Sequence, residues 1–131
     1  MRYLGIDYGH KKIGLALSDE QGDFVYPYKV ISNNDNTVKM ISKICSAEGV
    51  KEIVIGESRD LKGQPNVVFA GAKVLGDRLA KCFPNKSIYF HNETYTSREA
   101  ARVIGQDKEL DARAAALMLE SFLASRRKKS P

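Results

Sequence analysis

Cysteine and histidine are scarce in this chain, with two of each among 131 residues. Cys45 and Cys82 stand far apart, each on an apolar helical stripe, so neither a disulfide framework nor a zinc site is expected. His10 lies in a polar turn beside two lysines, and His91 falls in a strand period as a half-buried residue. No apolar run approaches the roughly 18–20 residues of a bilayer-crossing helix. The opening MRYLGIDYG has neither the apolar segment nor the small-residue cleavage site of a signal peptide. No membrane association is expected, and the cytoplasm is the expected compartment. Repeats and low-complexity blocks are also absent, and the longest Gly/Pro/Asn-rich stretch is the loop RDLKGQPN at 59–66. The length therefore favours a single domain over 1–131, with a basic tail at about 126–131 built from Arg126, Arg127, Lys128 and Lys129. An acidic excess is lacking too, since 21 Lys and Arg face 16 Asp and Glu for a formal net charge of +5. That balance suits a polyanionic partner, and it equally suits a solvated basic surface.

What the chain does contain is a regular succession of elements. Residues 3–6 read as a short strand, 8–11 as a tight connection, 12–18 as a second strand and 23–31 as a third. Pro27 marks the third as an edge strand or a bulge. Val38, Ile41, Ile44 and Cys45 then take a helical period over about 36–48, ended by Gly49. EIVIG at 52–56 is a buried strand. Val68, Ala72, Leu75, Leu79 and Cys82 mark a second helix stopped by Pro84-Asn85, and SIYFH at 87–91 is the fifth strand. A capping signal at Thr96 or Ser97 with Glu99 predicts a helix to Val103 or Ile104, before the alanine-rich last helix at 110–125. The expected fold class is α/β: a mixed five-stranded sheet, three strands antiparallel and two more parallel to the first through helical crossovers, flanked by helices. The carboxyl ends of strands one, four and five then share one sheet edge, where open α/β sheets place their ligands.

Three carboxylates fall at that edge. Asp7 ends the first strand, Glu93 follows the fifth, and Asp111 sits in the first turn of the last helix, on the stripe that continues to Ala115, Met118 and Phe122. Taken singly, Asp111 also fits a helix-start carboxylate stabilised by the macrodipole, and Glu93 a solvated turn residue. Together they would repel one another unless protonation or a divalent cation relieved them. Oxygen donors without thiol or imidazole suit Mg²⁺ or Mn²⁺, and two such ions can activate a water and stabilise a leaving oxygen in phosphodiester cleavage. Lys11, Lys12, Arg59, Lys62 and Arg98 lie on loops or helix starts near the same edge, placed to meet phosphates. Tyr8 reads as a packing residue, while Tyr95 is open between packing and stacking on unpaired bases. Glu57 is either a further ligand or a loop charge, with the polar turn that follows favouring the loop.

The segment GIDYGHKKIGLALSD (5–19) resembles the opening signature of the YqgF family, also called RuvX, of the RNase H-like superfamily. EIVIG followed by KGQ resembles that family's strand and glycine loop, NETYTS (92–97) stands at its D-E-R-L-T-T, and LDARAAALMLESFL (110–123) resembles its closing D-x-x-A-A helix. The resemblance implies an RNase H-like fold, with Asp7, Glu93 and Asp111 as metal-binding catalytic acids, Lys11 and Lys12 as the basic pair of the first loop, and Thr96 and Ser97 as the Thr pair. Asn92 stands in place of the family's aspartate, Thr94 of its arginine, and Glu57-Ser58 of its Leu-Pro. The implied activity is a metal-dependent endonuclease acting on structured RNA or branched DNA. Its task would be maturation of the 5′ end of pre-16S ribosomal RNA or resolution of four-way DNA junctions, by a monomer or a homodimer. A nucleic-acid-binding module that has lost catalysis is the alternative suggested by Asn92, Thr94 and the basic tail. A nucleotide-binding protein of the actin and sugar-kinase type also opens with a strand, an aspartate and a glycine turn, but closes two lobes where this length supplies one.

Overall fold

A computed structural model describes residues 1–58, 67–93 and 110–129, of which 57, 58, 67–69, 92, 93, 110, 111 and 127–129 are described by backbone position. The elements run β1 (Arg2–Asp7), β2 (Lys12–Ser18), β3 (Val25–Ser32), α1 (Thr37–Glu48), β4 (Val50–Ser58), α2 (Val67–Cys82), β5 (Ser87–Glu93) and α3 (Leu110–Lys129). The helix expected at 96–104 lies outside the described residues. Among the described residues, no helix is long and apolar enough to cross a membrane.

The five strands form one sheet in the order β3-β2-β1-β4-β5. β2 is antiparallel to both β1 and β3, and β4 is parallel to β1 and to β5. This is the expected mixed sheet. β3 is an edge strand whose register against β2 shifts from Leu15↔Lys29 to Ala16↔Pro27. The bulge accommodates a residue that has no N–H to give to a ladder.

Each chain turn has a local cause. Asp19 closes the β2–β3 hairpin by accepting from the backbone N–H of Asp23 at 2.8 Å and of Phe24 at 3.2 Å. Buried Ser18 accepts from Tyr3 N–H at 2.9 Å, so the Ser-Asp pair that ends the opening signature builds a turn remote from Asp7. Slight desolvation opposes it, but the N–H groups of Asp23, Phe24 and Gly22 hold the Asp19 carboxyl below its ordinary value. Gly49 adopts a left-handed φ of 67° and donates to the Cys45 carbonyl, ending α1.

Two apolar layers sandwich the sheet. Leu4 and Ile6 of β1 join Ile53 and Ile55 of β4 and the inner stripes of α1 and α2, including Ile41, Leu75 and Leu79. On the opposite face Ala16 and Val54 meet Ala115, Met118, Leu119 and Phe122 of α3. The alternation along β1 therefore turns Tyr3, Gly5 and Asp7 to the α3 side.

Two sequence expectations shift. Cys82, the last residue of α2, is exposed, whereas Cys45 is buried and its thiol is pushed up to about 11 by desolvation. The last helix continues past Ser125 to Lys129 and takes the start of the basic tail into its final turns.

Candidate active site

Asp7 is a strand residue that still pairs with Gly14 of β2. On its other side Ile6 pairs with Ile55, so Gly56 follows beside Asp7 on β4. Both flanking backbones thus carry glycine, with no side chain to fill the space next to the partly exposed carboxylate. Gly14 was not singled out by sequence reasoning, because its meaning depends on a pairing that the sequence does not print.

The direction of α3 decides where its first turn falls. A Cβ on Gly5 would stand 2.9 Å from the Leu119 Cβ and 3.2 Å from the Ala115 carbonyl, so the helix crosses β1 in direct contact there. Further along α3, the Phe122 ring lies 6.2 Å from the Tyr3 ring. The helix therefore runs antiparallel to β1. Its carboxyl end lies over the start of the strand, and position 111, one turn before Ala115, lies toward the Asp7 end.

β5 brings the third position. Glu93 is its last residue, in register with Ser58 of the parallel β4, and so at the same edge of the sheet as Asp7. Two residues earlier, His91 stands edge-on to Phe122 at 5.6 Å and hydrogen-bonds the Ser121 hydroxyl at 3.0 Å. His91 is thus the half-buried strand residue expected, and position 93 shares its parity on the α3 side. The backbone thus draws Asp7, Glu93 and Asp111 toward one end of one face. Among the described residues, which leave out the carboxylates at 93 and 111, no group of three potential ligands is formed.

Glu57 requires a correction. It is not a loop residue but lies within β4, paired with Asn92 of β5. Its parity is that of Ile53 and Ile55, the α1–α2 side, opposite to that of Asp7. The two departures at 57 and 92 are therefore register partners, and neither position shares the face of the proposed acids.

Lys11 is exposed on the connection between β1 and β2, and Lys12, also exposed, opens β2. That connection is held from β3, because Asn33 N–H donates to the Lys11 carbonyl at 2.8 Å and Asn33 Nδ2 to the Gly9 carbonyl at 2.9 Å. Tyr8 packs on the inner core, with its ring against Gly71 of α2, as its reading as a packing residue anticipated. Arg59, Lys62, Tyr95, Thr96, Ser97 and Arg98 lie outside the described residues.

A second polar group sits at the far end of the same face. Tyr89 donates to the Glu52 carboxylate at 2.7 Å, and the Arg126 guanidinium approaches it to 4.0 Å while lying 5.1 Å from the Tyr89 ring centre. Burial and then donation to Glu52 raise the Tyr3 phenol above its ordinary value. These contacts belong to the anchoring of α3 and lie away from Asp7.

The chain is similar to known proteins over nearly its whole length. The family model described as "RuvX: Holliday junction resolvase" matches residues 1–125. A protein of Dictyoglomus turgidum is 33% identical over 138 residues, covering 95% of each chain. One of Malacoplasma penetrans is 32% identical over 139 residues, covering 96% of each. Both carry the name "Putative pre-16S rRNA nuclease". Among solved structures, Thermus thermophilus RuvC in complex with a Holliday junction substrate superposes with a TM-score of 0.62 at 14% identity, over 97% of this chain and 96% of that one. The fowlpox virus Holliday junction resolvase gives 0.60 at 14% identity, over 95% and 99%. These two likenesses extend to the fold, which is RNase H-like, and the match over nearly the whole sequence places the chain in the RuvX family.

Proposed function

We propose that this chain is a divalent-metal-dependent endonuclease that hydrolyses phosphodiester bonds in structured nucleic acid, most directly at the 5′ end of precursor 16S ribosomal RNA. The observation that carries the reading is the convergence at one sheet end: Asp7 closes β1, Glu93 closes the parallel β5, and α3 runs back over β1 from its start near position 111. The donor chemistry fits Mg²⁺ or Mn²⁺, since all three assigned groups are carboxylates and the nearby imidazole of His91 is engaged with Ser121. The glycines beside Asp7 put no side chain of their own against its carboxylate. Asp7, Glu93 and Asp111 would hold the metal, which when bound supplies an activated water and stabilises the leaving oxygen. Lys11 and Lys12 would set the strand by its phosphates, with Arg59, Lys62, Thr96, Ser97 and Arg98 assigned to the same work.

Purified protein incubated with labelled precursor ribosomal RNA and with a four-way DNA junction, in Mn²⁺ or EDTA, tests the reading. Metal-dependent cleavage of the RNA is expected, lost in Asp7→Asn, Glu93→Gln and Asp111→Asn with the fold retained. Wild-type cutting by all three variants would sink the assignment. Junction resolution is the second reading, favoured by the description of the family model. It needs two sites related by a two-fold axis, so a monomeric mass in solution counts against it. The binding-only alternative predicts EDTA-insensitive binding without cleavage. The reading places the protein in the cytoplasm with its nucleic-acid substrate.

A further inference from the structure

A cavity of about 210 Å³ opens at the same end of the sheet as Asp7 but on the α1–α2 side. Its lining includes Tyr8, Asn33, Asn34, Thr37, Val74 and Arg78, and none of its lining residues is acidic. We propose that it is a subsite for one unpaired nucleobase of the substrate strand, next to the phosphate that is cut. The inference rests on the endonuclease reading for the identity of the strand, but its chemistry is on the wall of the cavity itself.

The size favours a base alone. Pockets that enclose a whole drug-sized ligand begin at about 300 Å³. This one is smaller, which suits one planar ring system with its sugar and phosphate left outside. Tyr8 supplies an aromatic surface, kept in place because Gly71 has no side chain: a Cβ there would stand 2.6 Å from the Tyr8 ring. Aromatic faces stack on any base.

The amides supply edge contacts. Asn34 uses its side-chain oxygen to accept from Asn36 N–H at 2.8 Å and donates its backbone N–H to Thr37 Oγ1 at 2.9 Å, and no partner for its Nδ2 stands among the described residues. Asn33 gives its Nδ2 to the Gly9 and His10 carbonyls, so its amide is fixed in orientation beside Tyr8. At the rim Arg78 is exposed, with no carboxylate paired to it among the described residues, and so is placed to meet a phosphate.

Chain geometry joins the subsite to the cut. Asp7 and Tyr8 are consecutive, and alternation turns Asp7 to the α3 side while Tyr8 packs on the α1–α2 side. A strand crossing the end of the sheet with one phosphate at Asp7 brings the neighbouring nucleotide over Tyr8. Double-stranded substrate cannot present a base there without unpairing it, so the subsite selects frayed, looped or branched nucleic acid.

The test measures binding of a fluorescent single-stranded oligonucleotide in EDTA, where no cleavage intrudes, to wild type, Val74→Trp and Arg78→Ala. Val74 is a rim residue, 54% exposed, whose replacement by tryptophan fills the cavity from outside. Val74→Trp should weaken binding roughly tenfold or more, the scale of one lost base stack, and Arg78→Ala roughly tenfold, the scale of one charge-assisted contact to a phosphate. Lys29→Ala, on the exposed edge strand, should bind as wild type does. Replacing single nucleotides by abasic ones should weaken wild type at one position and leave Val74→Trp nearly unaffected there. Unchanged affinity in both variants, or an abasic effect equal at every position, would overturn the subsite. Displacement of the oligonucleotide by micromolar free AMP would overturn it as well, by making the cavity a mononucleotide site. If Val74→Trp fails to fold by its thermal melt, Arg78→Ala and the abasic series decide alone. Failure here leaves the three-acid reading standing, and wild-type cleavage by Asp7→Asn would leave this binding result standing.

Discussion

Gly5 shows how much of the site depends on one absent side chain. Glycine inside a strand forfeits packing and adds chain entropy to be lost, so its place in a buried strand calls for a reason. The reason is α3: the Leu119 Cβ and the Ala115 carbonyl occupy the space where a Cβ would go. Gly5→Ala should therefore destabilise the fold by about 1–3 kcal/mol, the range of overpacked cores, read from urea midpoints. Cleavage should fall as well, because the same displaced helix carries position 111. A variant as stable and active as wild type would mean that α3 does not hold position 111 through this contact. The glycine was legible in the sequence as part of the Gly-Ile-Asp opening, but not its cause, since Leu119 lies near the other end of the chain. Asp7 was legible for the opposite reason: an acid closing an apolar strand is a local signal.

Among the elements, α3 departs most from its sequence reading, and at one residue. The apolar stripe through Ala115, Met118 and Phe122 reaches Arg126 one turn later, where a charge reads as the end of the helix and the start of a tail. A guanidinium can nevertheless continue an apolar stripe by stacking, and Arg126 lies 5.1 Å from the Tyr89 ring centre and 5.6 Å from that of Phe122. It also faces Glu52, a carboxylate left 8% exposed on β4 that needs a cation or donors nearby. Because the Arg126 side chain is 47% exposed, solvent screens much of this attraction. Arg126→Ala should thus cost only about 1 kcal/mol in a urea titration, Arg126→Lys less, and Glu120→Ala on the exposed side of the helix close to nothing. Equal losses for Arg126→Ala and Glu120→Ala would show that the last turns are not anchored there. The strands, by contrast, were each read within a residue or two of their bounds. Their ends extend into polar residues such as Arg2, Asp7 and Ser58, where alternation gives no further signal.

For the molecule as a whole, the topology was readable because short turns force β1, β2 and β3 into a meander and two helix-length crossovers force β4 and β5 parallel to β1. Once that is fixed, one end of the sheet collects the carboxyl ends of three strands, and the acids follow. The cavity at the same end was not readable, since Tyr8 after β1, Asn34 before α1 and Arg78 of α2 are far apart along the chain and meet only through packing. Charge was readable in amount but not in place. With a formal net charge of +5 the protein attracts polyanions at long range, yet only cations that touch phosphates release counterions on binding. Lys11, on the connection that Asn33 pins beside Asp7, and Lys12, at the start of β2, are both exposed, so they are the described cations best placed to do so. For a single strand each neutralised phosphate contributes about 0.7 to the slope of log affinity against log salt. Replacing both lysines by alanine should therefore lower that slope by about 1.4, measured by oligonucleotide binding across a NaCl series in EDTA. A general loss of net charge elsewhere on the surface, as in Lys29→Ala with Lys43→Ala, should leave the slope nearly unchanged. If the two double variants shift the slope equally, the strand does not run past the β1–β2 connection, and the basic pair acts only as part of the diffuse positive field.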